Sequence, residues 1–205
     1  MRGKFISLEG GEGVGKSTQL RALAAALRTR GLDVVETREP GGSAGGEAIR
    51  ELLLGGDDER WSAPAEALLF AAARTDHVDK LIRPAVLSGQ WVLSDRFIDS
   101  SLAYQGGAGG LGGDAVRAVN AFGVGEWFPD RTLVLLQPQG ADRALARDEG
   151  VSDRIGGRPA SYHHAVDQAF RKIAAAEPER VRLVDASGTP GEVTRRLLAA
   201  IEDLL

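Results

Sequence analysis

The chain has 205 residues, of which 43% are hydrophobic and 26% are charged, a net charge of -4 at pH 7 and no cysteine. This composition predicts one globular domain over residues 1–205, excludes a disulfide framework and a thiolate metal site, and gives no general attraction to nucleic acid or to anionic membranes. Because a strand begins near residue 5 and no apolar run could span a bilayer, we expect no signal peptide, no membrane contact and a cytoplasmic location.

The first elements are a short apolar strand, Phe5–Leu8, and the glycine-rich segment that follows it. Residues 10–17 match the pattern G-x-x-x-x-G-K-[ST], and the next residues open a helix with apolar positions at helical spacing. In this context the loop is predicted to bind phosphate, with Lys16 at the β- and γ-phosphates and the Ser17 hydroxyl on Mg²⁺. A glycine-rich turn with a surface lysine is the weaker alternative. The predicted ATP-binding residues are Gly10, Gly11, Glu12, Gly13, Val14, Gly15, Lys16, Ser17 and Thr18.

Strand-like runs alternate with helical stretches along the whole chain. This alternation predicts an α/β fold with a five-stranded parallel sheet and helices on both faces. Ligands of such sheets bind beyond the carboxyl ends of the strands, so the residues after each strand are the candidates for function. The predicted strands are Phe5–Leu8, Asp33–Thr37, Trp91–Ser94, Thr132–Leu136 and Val181–Val184.

The second strand leads to Arg38 and to a turn at residues 40–42, where the arginine could hold a phosphate oxygen. A surface turn with an incidental Arg-Glu pair explains the same residues. Helices are predicted over Ala44–Leu54 and from about Ser62 to Leu87. In the longer one Glu66, Phe70 and Arg74 share one face, where a ring and a guanidinium could bind a base. Core packing for Phe70 and a solvated face for Arg74 are the ordinary alternatives.

The third strand ends at Asp95 and Arg96. A carboxylate at this point of a phosphate-loop protein lies beside the nucleotide and can hold Mg²⁺, and Arg96 would neutralise phosphate charge. The segment Ser100–Gly107 carries hydroxyl and amide groups suited to a sugar and a base. A capped turn leading to a flexible loop is its alternative.

Arginines border a polar, glycine-containing stretch after the fourth strand. Arg143, Arg147 and Arg154 flank residues 148–153, which indicates a small mobile lid at about 143–158 that closes over the transferring phosphate. Exposed arginines on a helix would look the same.

Six segments together make the chain similar to the bacterial thymidylate kinases. They are Leu8–Thr18, Arg38–Gly42, Phe70–Arg74, Asp95–Arg96, Ser100–Gly107 and Asp153–Ile155. The resemblance runs nearly the full length and implies a P-loop NTPase fold and an enzyme that phosphorylates dTMP with Mg²⁺ and ATP, giving dTDP and ADP. It also implies a homodimer.

The resemblance further implies roles at the matching positions. The implied catalytic residues are Lys16, Arg38, Arg96, Arg147 and Arg154, and the implied metal ligands are Ser17 and Asp95. The implied dTMP-binding residues are Glu12 at the 3′-hydroxyl, Arg38 and Arg96 at the phosphate, Phe70 and Arg74 at thymine, Tyr104 at the 2′ position, and Ser101 and Gln105 in the pocket.

The second half of the chain departs from the family pattern. Gln137 and Gly156 stand where acidic residues are usual, and Ala165 and Asp167 stand where arginines are usual, so the identity of the lid arginine stays open. Another nucleoside monophosphate kinase, a GTPase and a catalytically weak nucleotide-binding protein are the alternative functions. The GTPase is disfavoured because the chain has no Asn-Lys-x-Asp sequence.

Overall fold

The computed structural model describes residues 2–57, 59–137 and 154–205. Five strands form one parallel sheet in the order β2-β3-β1-β4-β5, as the alternation of elements predicted. Each predicted strand is present, with small shifts at its ends. The strands are β1 Phe5–Gly10, β2 Val34–Arg38, β3 Trp91–Asp95, β4 Arg131–Leu136 and β5 Val181–Asp185.

Helices connect the strands and cover the sheet. A π-helical turn over Val78–Ile82 joins α3 to α4, so the helix predicted to run to Leu87 is continuous but changes its winding. A second π-helical turn, Leu102–Ala108, follows α5 and a 3₁₀ turn follows α8. The helices are α1 Lys16–Thr29, α2 Ala44–Leu54, α3 Ala63–His77, α4 Arg83–Leu87, α5 Ile98–Ser101, α6 Gly113–Val124, α7 Ala160–Ala176 and α8 Pro190–Ala199.

Apolar side chains lie on both faces of the sheet, because alternate residues of a strand point in opposite directions. Ile6 and Leu8 pack on one face with residues of α1 and α8. Phe5 packs on the other face with residues of the first π-helical turn and α4, and Val134 packs there with α7. Since helices cover both faces, β1 and β4 are buried at every residue.

Local signals explain where two helices begin. The Ser43 hydroxyl accepts a hydrogen bond from the Gly46 N–H (3.0 Å) and so caps α2. Ser62 stands at the predicted cap position of α3, directly before Ala63-Pro64, although its side chain makes no capping bond. In the ranges that the structure describes, no helix is both long and apolar enough to cross a membrane.

Candidate functional site

The glycine-rich loop joins β1 to α1 at the carboxyl edge of the sheet. A Cβ at Gly10 would lie 2.3 Å from the Leu135 carbonyl oxygen, so only glycine fits where the loop leaves the sheet. Gly15 has φ 91° and is the residue that caps α1. Glu12, Gly13, Ser17 and Thr18 are exposed, while Gly11 is buried. The loop therefore presents its backbone and the first turn of α1 to a ligand, as the motif predicts.

Lys16 is folded along this loop. Its ammonium donates to the carbonyl oxygens of Gly11 (2.7 Å) and Gly10 (3.2 Å), and the residue is buried. Burial and the nearby charge of Arg96 lower the pKa of Lys16 to about 8, against the opposing effect of Glu12 and other carboxylates. The chain thus holds a cation at the loop whose charge is sensitive to mildly alkaline pH.

The two predicted metal ligands are neighbours. The Ser17 hydroxyl donates to a carboxylate oxygen of Asp95 at 2.7 Å, although the two residues are 78 positions apart. A hydroxyl and a carboxylate are hard oxygen donors of the kind that Mg²⁺ binds alongside substrate phosphates. The described residues contain no cluster of three or more acidic, histidine or cysteine side chains that could enclose a metal by themselves. This donor set fits a Mg²⁺ ion that is completed by phosphate oxygens.

Arg96 connects the phosphate loop to the segment after β3. Its guanidinium donates to Gly10 O (3.2 Å), to a carboxylate oxygen of Glu12 (2.5 Å), to the Ser100 hydroxyl (3.1 Å) and to the Tyr104 hydroxyl (3.3 Å). It also lies over the Tyr104 ring, 5.0 Å from its centre. The backbone of Arg96 has φ 75°, an unusual value for a residue with a side chain. The strain is maintained by the contacts of this one guanidinium with both sides of the site.

The carboxylates around Arg96 differ in protonation. Burial would raise the pKa of Glu12, but the charges of Arg96 and Lys16 outweigh it and keep that pKa below its ordinary value. Glu9 is completely buried and accepts bonds from Phe97 N (2.7 Å) and the Ser100 hydroxyl (2.5 Å). Burial, with the charge of Asp99 adding to it, raises the pKa of Glu9 to about 8. At neutral pH Glu12 is therefore the charged partner of Arg96.

Arg38 lies at the carboxyl end of β2, next to Asp95 in the sheet register. Its guanidinium donates to both carboxylate oxygens of Glu47 (3.1 and 3.2 Å), and its side chain is more than half exposed. Glu47 also accepts a hydrogen bond from Gly42 N at 3.1 Å. This backbone bond, together with the weaker effect of the Arg38 side-chain bond, lowers the pKa of Glu47. Arg38 is thus held at the rim of the site and accessible to a ligand.

Arg74 is buried, which corrects the alternative of a solvated position on the helix face. It is 1% exposed, and its guanidinium donates to Glu39 (2.7 Å), Ser101 (3.1 Å), Asn120 (2.6 Å) and the Phe97 carbonyl (3.1 Å). Arginine has five N–H donors, so these bonds leave one N–H for another acceptor.

Glu39 explains why the charged guanidinium of Arg74 is stable in the interior, because the two side chains form an ion pair. It is buried rather than part of an incidental surface pair, and its second oxygen contacts His77 Nδ1 at 3.0 Å. His77 in turn bonds the Thr37 hydroxyl (2.7 Å), so this histidine is structural. The ion pair fixes the turn after β2 to α3.

An aromatic group lies beside Arg74. Phe70 is half-buried and packs in one apolar cluster with Tyr104 and Tyr162. The ring centres of Tyr104 and Tyr162 are 6.2 Å apart. Ser101 and Gln105 are both buried, Ser101 on Arg74 and Gln105 on Glu66 (2.9 Å). The predicted base and sugar residues are therefore brought together from α3 and from the segment after β3.

The lid arginines are only partly described. Arg147 and the predicted lid up to residue 153 lie outside the described residues. Arg154 is described, and its buried side chain donates to the Leu53 carbonyl (3.1 Å) and to Glu66. The structure thus places Arg154 against α2 and α3, beside the aromatic group.

Several residues of this site have weak or no signals in the sequence. Helical spacing places Glu66 on one face with Phe70 and Arg74 but assigns it no role, and the signal for Glu39 is its place between Arg38 and Pro40. Arg158, which also donates to Glu66 (2.8 Å), and Tyr162 carry no local pattern. Gln137 and Asp167, where the chain departs from the family pattern, line a cleft beside the phosphate loop together with Glu12 and Val14.

Comparison with known proteins identifies similar chains. A family model described as thymidylate kinase matches residues 8–197. A thymidylate kinase from Rhizorhabdus wittichii is 60% identical over 207 residues, covering 100% of each chain. One from Bradyrhizobium diazoefficiens is 46% identical over 100% of this chain and 91% of its own. A crystal structure of thymidylate kinase from Ehrlichia chaffeensis superposes with a TM-score of 0.76 at 28% identity, covering 98% of this chain and 99% of that one.

Proposed function

The chain belongs to the thymidylate kinase family, and we propose that it transfers the γ-phosphate of ATP to dTMP by holding the two nucleotides on either side of the Arg96 side chain. The reaction is an ATP-dependent phosphotransfer that gives dTDP and ADP for dTTP synthesis. The observation that carries the arrangement is the set of bonds from Arg96 to the phosphate loop and to Tyr104.

The donor side of the proposal uses the glycine-rich loop. ATP would place its phosphates on the backbone of residues 10–18, with Lys16 moving its donors from the carbonyls of Gly10 and Gly11 to the β- and γ-phosphates. Ser17 and Asp95 would hold Mg²⁺, which would supply positive charge to neutralise the phosphates. Their proximity, at 2.7 Å, supports this assignment.

The acceptor side uses α3 and the segment after β3. Phe70 would stack on thymine, the remaining N–H donor of Arg74 would bond the edge of the base, and Ser101 and Gln105 would line the pocket. Tyr104, packed under Arg96, would occupy the space of a 2′-hydroxyl and so favour deoxyribose.

The acceptor would be held at its sugar and phosphate by charged residues. Glu12 would accept from the 3′-hydroxyl, while Arg38 and Arg96 hold the dTMP phosphate. Arg147 and Arg154 remain candidates for the arginine at the transferring phosphate. Because the transition state spreads charge over phosphoryl oxygens, this chemistry depends on alignment and neutralisation of charge rather than on a covalent intermediate.

The Mg²⁺ concentration that a variant needs for half-maximal turnover tests the assignment of the metal ligands. We expect Asp95→Asn to raise the Mg²⁺ concentration needed for half-maximal turnover about tenfold or more, since loss of even an outer-shell partner of a metal ligand typically lowers metal affinity on that scale. Coupled ADP release with dTMP, titrated with MgCl₂, measures it. Asp33→Asn, at the opposite end of the sheet where Asp33 bonds Gln90, is the control and should behave as the wild type. An unchanged Mg²⁺ requirement in Asp95→Asn would count against the assignment.

The pKa of Lys16 gives a pH-dependence for the ligand-free chain. Because this pKa is lowered to about 8, Lys16 loses its charge as the pH rises through 8, and affinity for Mg·ATP should fall by up to about tenfold per pH unit above it. Stability should change in the opposite sense. Between about pH 8 and 10.5 the unfolded chain binds more protons at this group, so its contribution to the free energy of unfolding rises with pH.

Calorimetric titration with Mg·ATP between pH 7.5 and 9.5 measures the effect on binding. The Lys16→Met variant has no titrating group at this position and should bind weakly with a flat pH profile. Glu9→Gln removes the other group with a pKa near 8 and should keep the decline. A decline that vanishes in Glu9→Gln would assign it to Glu9 instead.

We also propose an oligomeric state, a domain organisation and a cellular location for the chain. Large apolar side chains exposed on helices, Leu68 on α3 and Phe122 on α6, support a homodimer, and a single-chain mass in sedimentation experiments would contradict it.

One sheet with a single set of covering helices supports a single domain, with a lid at about 143–158 that limited proteolysis can locate. A cytoplasmic location is proposed because both substrates are charged cytoplasmic nucleotides, and cell fractionation tests it.

A further inference from the structure

One buried carboxylate in the first turn of α3, that of Glu66, forms ion pairs with two guanidiniums. Glu66 is 3% exposed and accepts hydrogen bonds from Gln105 Nε2 (2.9 Å), Arg158 Nη2 (2.8 Å) and Arg154 Nη2. A single negative charge cannot neutralise two positive ones. The Glu66 cluster, defined as Glu66, Gln105, Arg154 and Arg158, therefore keeps a net charge of about +1 in a place from which water is largely excluded.

One donor of the Glu66 cluster has no acceptor. Arg154 Nη1 is buried and finds no hydrogen-bond partner within the described part of the chain. A buried N–H group of a guanidinium without an acceptor is costly, and such groups are normally satisfied by protein, water or a ligand. Excess positive charge and an unused donor both favour an anionic, hydrogen-bond-accepting ligand nearby.

The cluster is joined to the wall of the acceptor pocket. Arg158 donates to the Tyr162 hydroxyl (2.5 Å) and lies 4.7 Å from the centre of that ring. The Tyr162 hydroxyl donates to the Tyr104 carbonyl at 2.8 Å, and both rings pack in the apolar cluster that contains Phe70. Phe70 itself lies one helical turn after Glu66. Arg158 is thus linked through Tyr162 to Tyr104, and both arginines are linked through Glu66 to Gln105, two residues that the proposed function places at dTMP.

We propose that Glu66 is a positioning residue for the acceptor nucleotide, holding Arg154 and Arg158 in place so that the segment from Arg154 to Tyr162 forms one wall of the dTMP pocket. The proposal rests on the proposed function, because that function places dTMP between Phe70 and Tyr104. It gives Arg154 and Arg158 a structural role beside the acceptor pocket, and the choice between Arg147 and Arg154 at the transferring phosphate stays open. Glu66 acts only through these arginines and through Gln105.

Binding measured without turnover tests the proposal. Glu66→Gln keeps the size of the side chain but leaves the buried Arg154 and the partly buried Arg158 without a counter-charge. The two guanidiniums then repel each other, and the segment from Arg154 to Tyr162 should move away from the pocket. We expect the dissociation constant for dTMP to rise about tenfold, a coupling of the size found between contacting residues, while that for a non-hydrolysable ATP analogue stays the same. Isothermal titration of each ligand alone measures both. Since no phosphotransfer is involved, this test can fail while the proposed reaction stands.

A second substitution separates positioning from loss of structure. In Glu66→Gln/Arg158→Met the cluster returns to a net charge of about +1, and affinity for dTMP should recover toward the wild-type value. Glu177→Gln is the matched control, since Glu177 also accepts from two arginines, Arg117 and Arg180 (2.8 Å each), but outside the pocket. It should leave both dissociation constants unchanged.

A milder variant covers the case in which Glu66→Gln does not fold, as judged by its thermal unfolding. Tyr162→Phe removes only the hydroxyl that joins Arg158 to the Tyr104 carbonyl, and dTMP binding should weaken about threefold, as expected for one hydrogen bond. Unchanged dTMP affinity in Glu66→Gln, or in Tyr162→Phe where the former is unfolded, would overturn the proposal. An equal loss for the ATP analogue, or no recovery in the double variant, would do the same.

Discussion

Replacing Arg96 by glycine is expected to lower kcat for dTMP phosphorylation by about a hundredfold or more, the usual cost of removing one charge contact to a transferring group. Arg96 is the side chain that bonds both the phosphate loop, at Gly10 and Glu12, and the acceptor segment, at Tyr104. In the proposed arrangement the dTMP phosphate would then lack a cation, and Glu12 would lose its charged partner. Coupled ADP release at saturating ATP, over a range of dTMP concentrations, separates kcat from KM.

Glycine is the informative replacement because the backbone of Arg96 has φ 75°. Glycine adopts this conformation without strain, so Arg96→Gly removes the side chain while keeping the backbone, whereas Arg96→Ala also keeps a Cβ in the strained conformation. Both variants should lose activity, and the glycine variant should be the more stable one. Arg117→Ala, which removes an arginine paired with Glu177, is the control and should retain full activity. Near-normal kcat in Arg96→Gly would show that transfer does not depend on this guanidinium.

The Arg74→Met variant should lose about 3–5 kcal/mol of unfolding free energy, because one partner of a buried ion pair disappears and the other stays buried. Glu39 would keep His77 as its other partner, and the side chains of Ser101 and Asn120 would lose their shared donor. Urea denaturation followed by circular dichroism measures the loss. In the fraction that remains folded, the KM for dTMP should rise, since the proposed guanidinium donor to the edge of the base is removed.

The Glu39→Gln variant shows whether Arg74 and Glu39 act as a pair. If they do, Arg74→Met/Glu39→Gln should be less destabilised than the sum of the two single variants. Arg50→Met, which removes the guanidinium that donates from α2 to the carbonyl of Pro40 in the same turn (2.8 Å), is the comparison for a general loss of arginine. Additive effects, or a loss in Arg74→Met no larger than in Arg50→Met, would contradict a buried ion pair that stabilises the fold.

Local sequence determined the sheet, the phosphate loop and the position of Asp95 and Arg96. The strands are short apolar runs between helical stretches, and all five are found where the alternation predicts them. At one position of the loop pattern the structure gives the reason for the residue, since a Cβ at Gly10 would meet the Leu135 carbonyl oxygen. Parallel strands then bring their carboxyl ends to one edge, so Ser17 and Asp95 meet as expected.

Only the tertiary structure decided which polar residues are buried and paired. Helical spacing placed Glu66 and Arg74 on one face of α3, but a helix face carries no information about what covers it. Arg74 meets Glu39 across 35 positions, and Glu66 meets Arg154 across 88. A charged side chain is stable in the interior only where such distant partners satisfy it, and these partners come together only when α2, α3 and the segment that begins at Arg154 pack against each other.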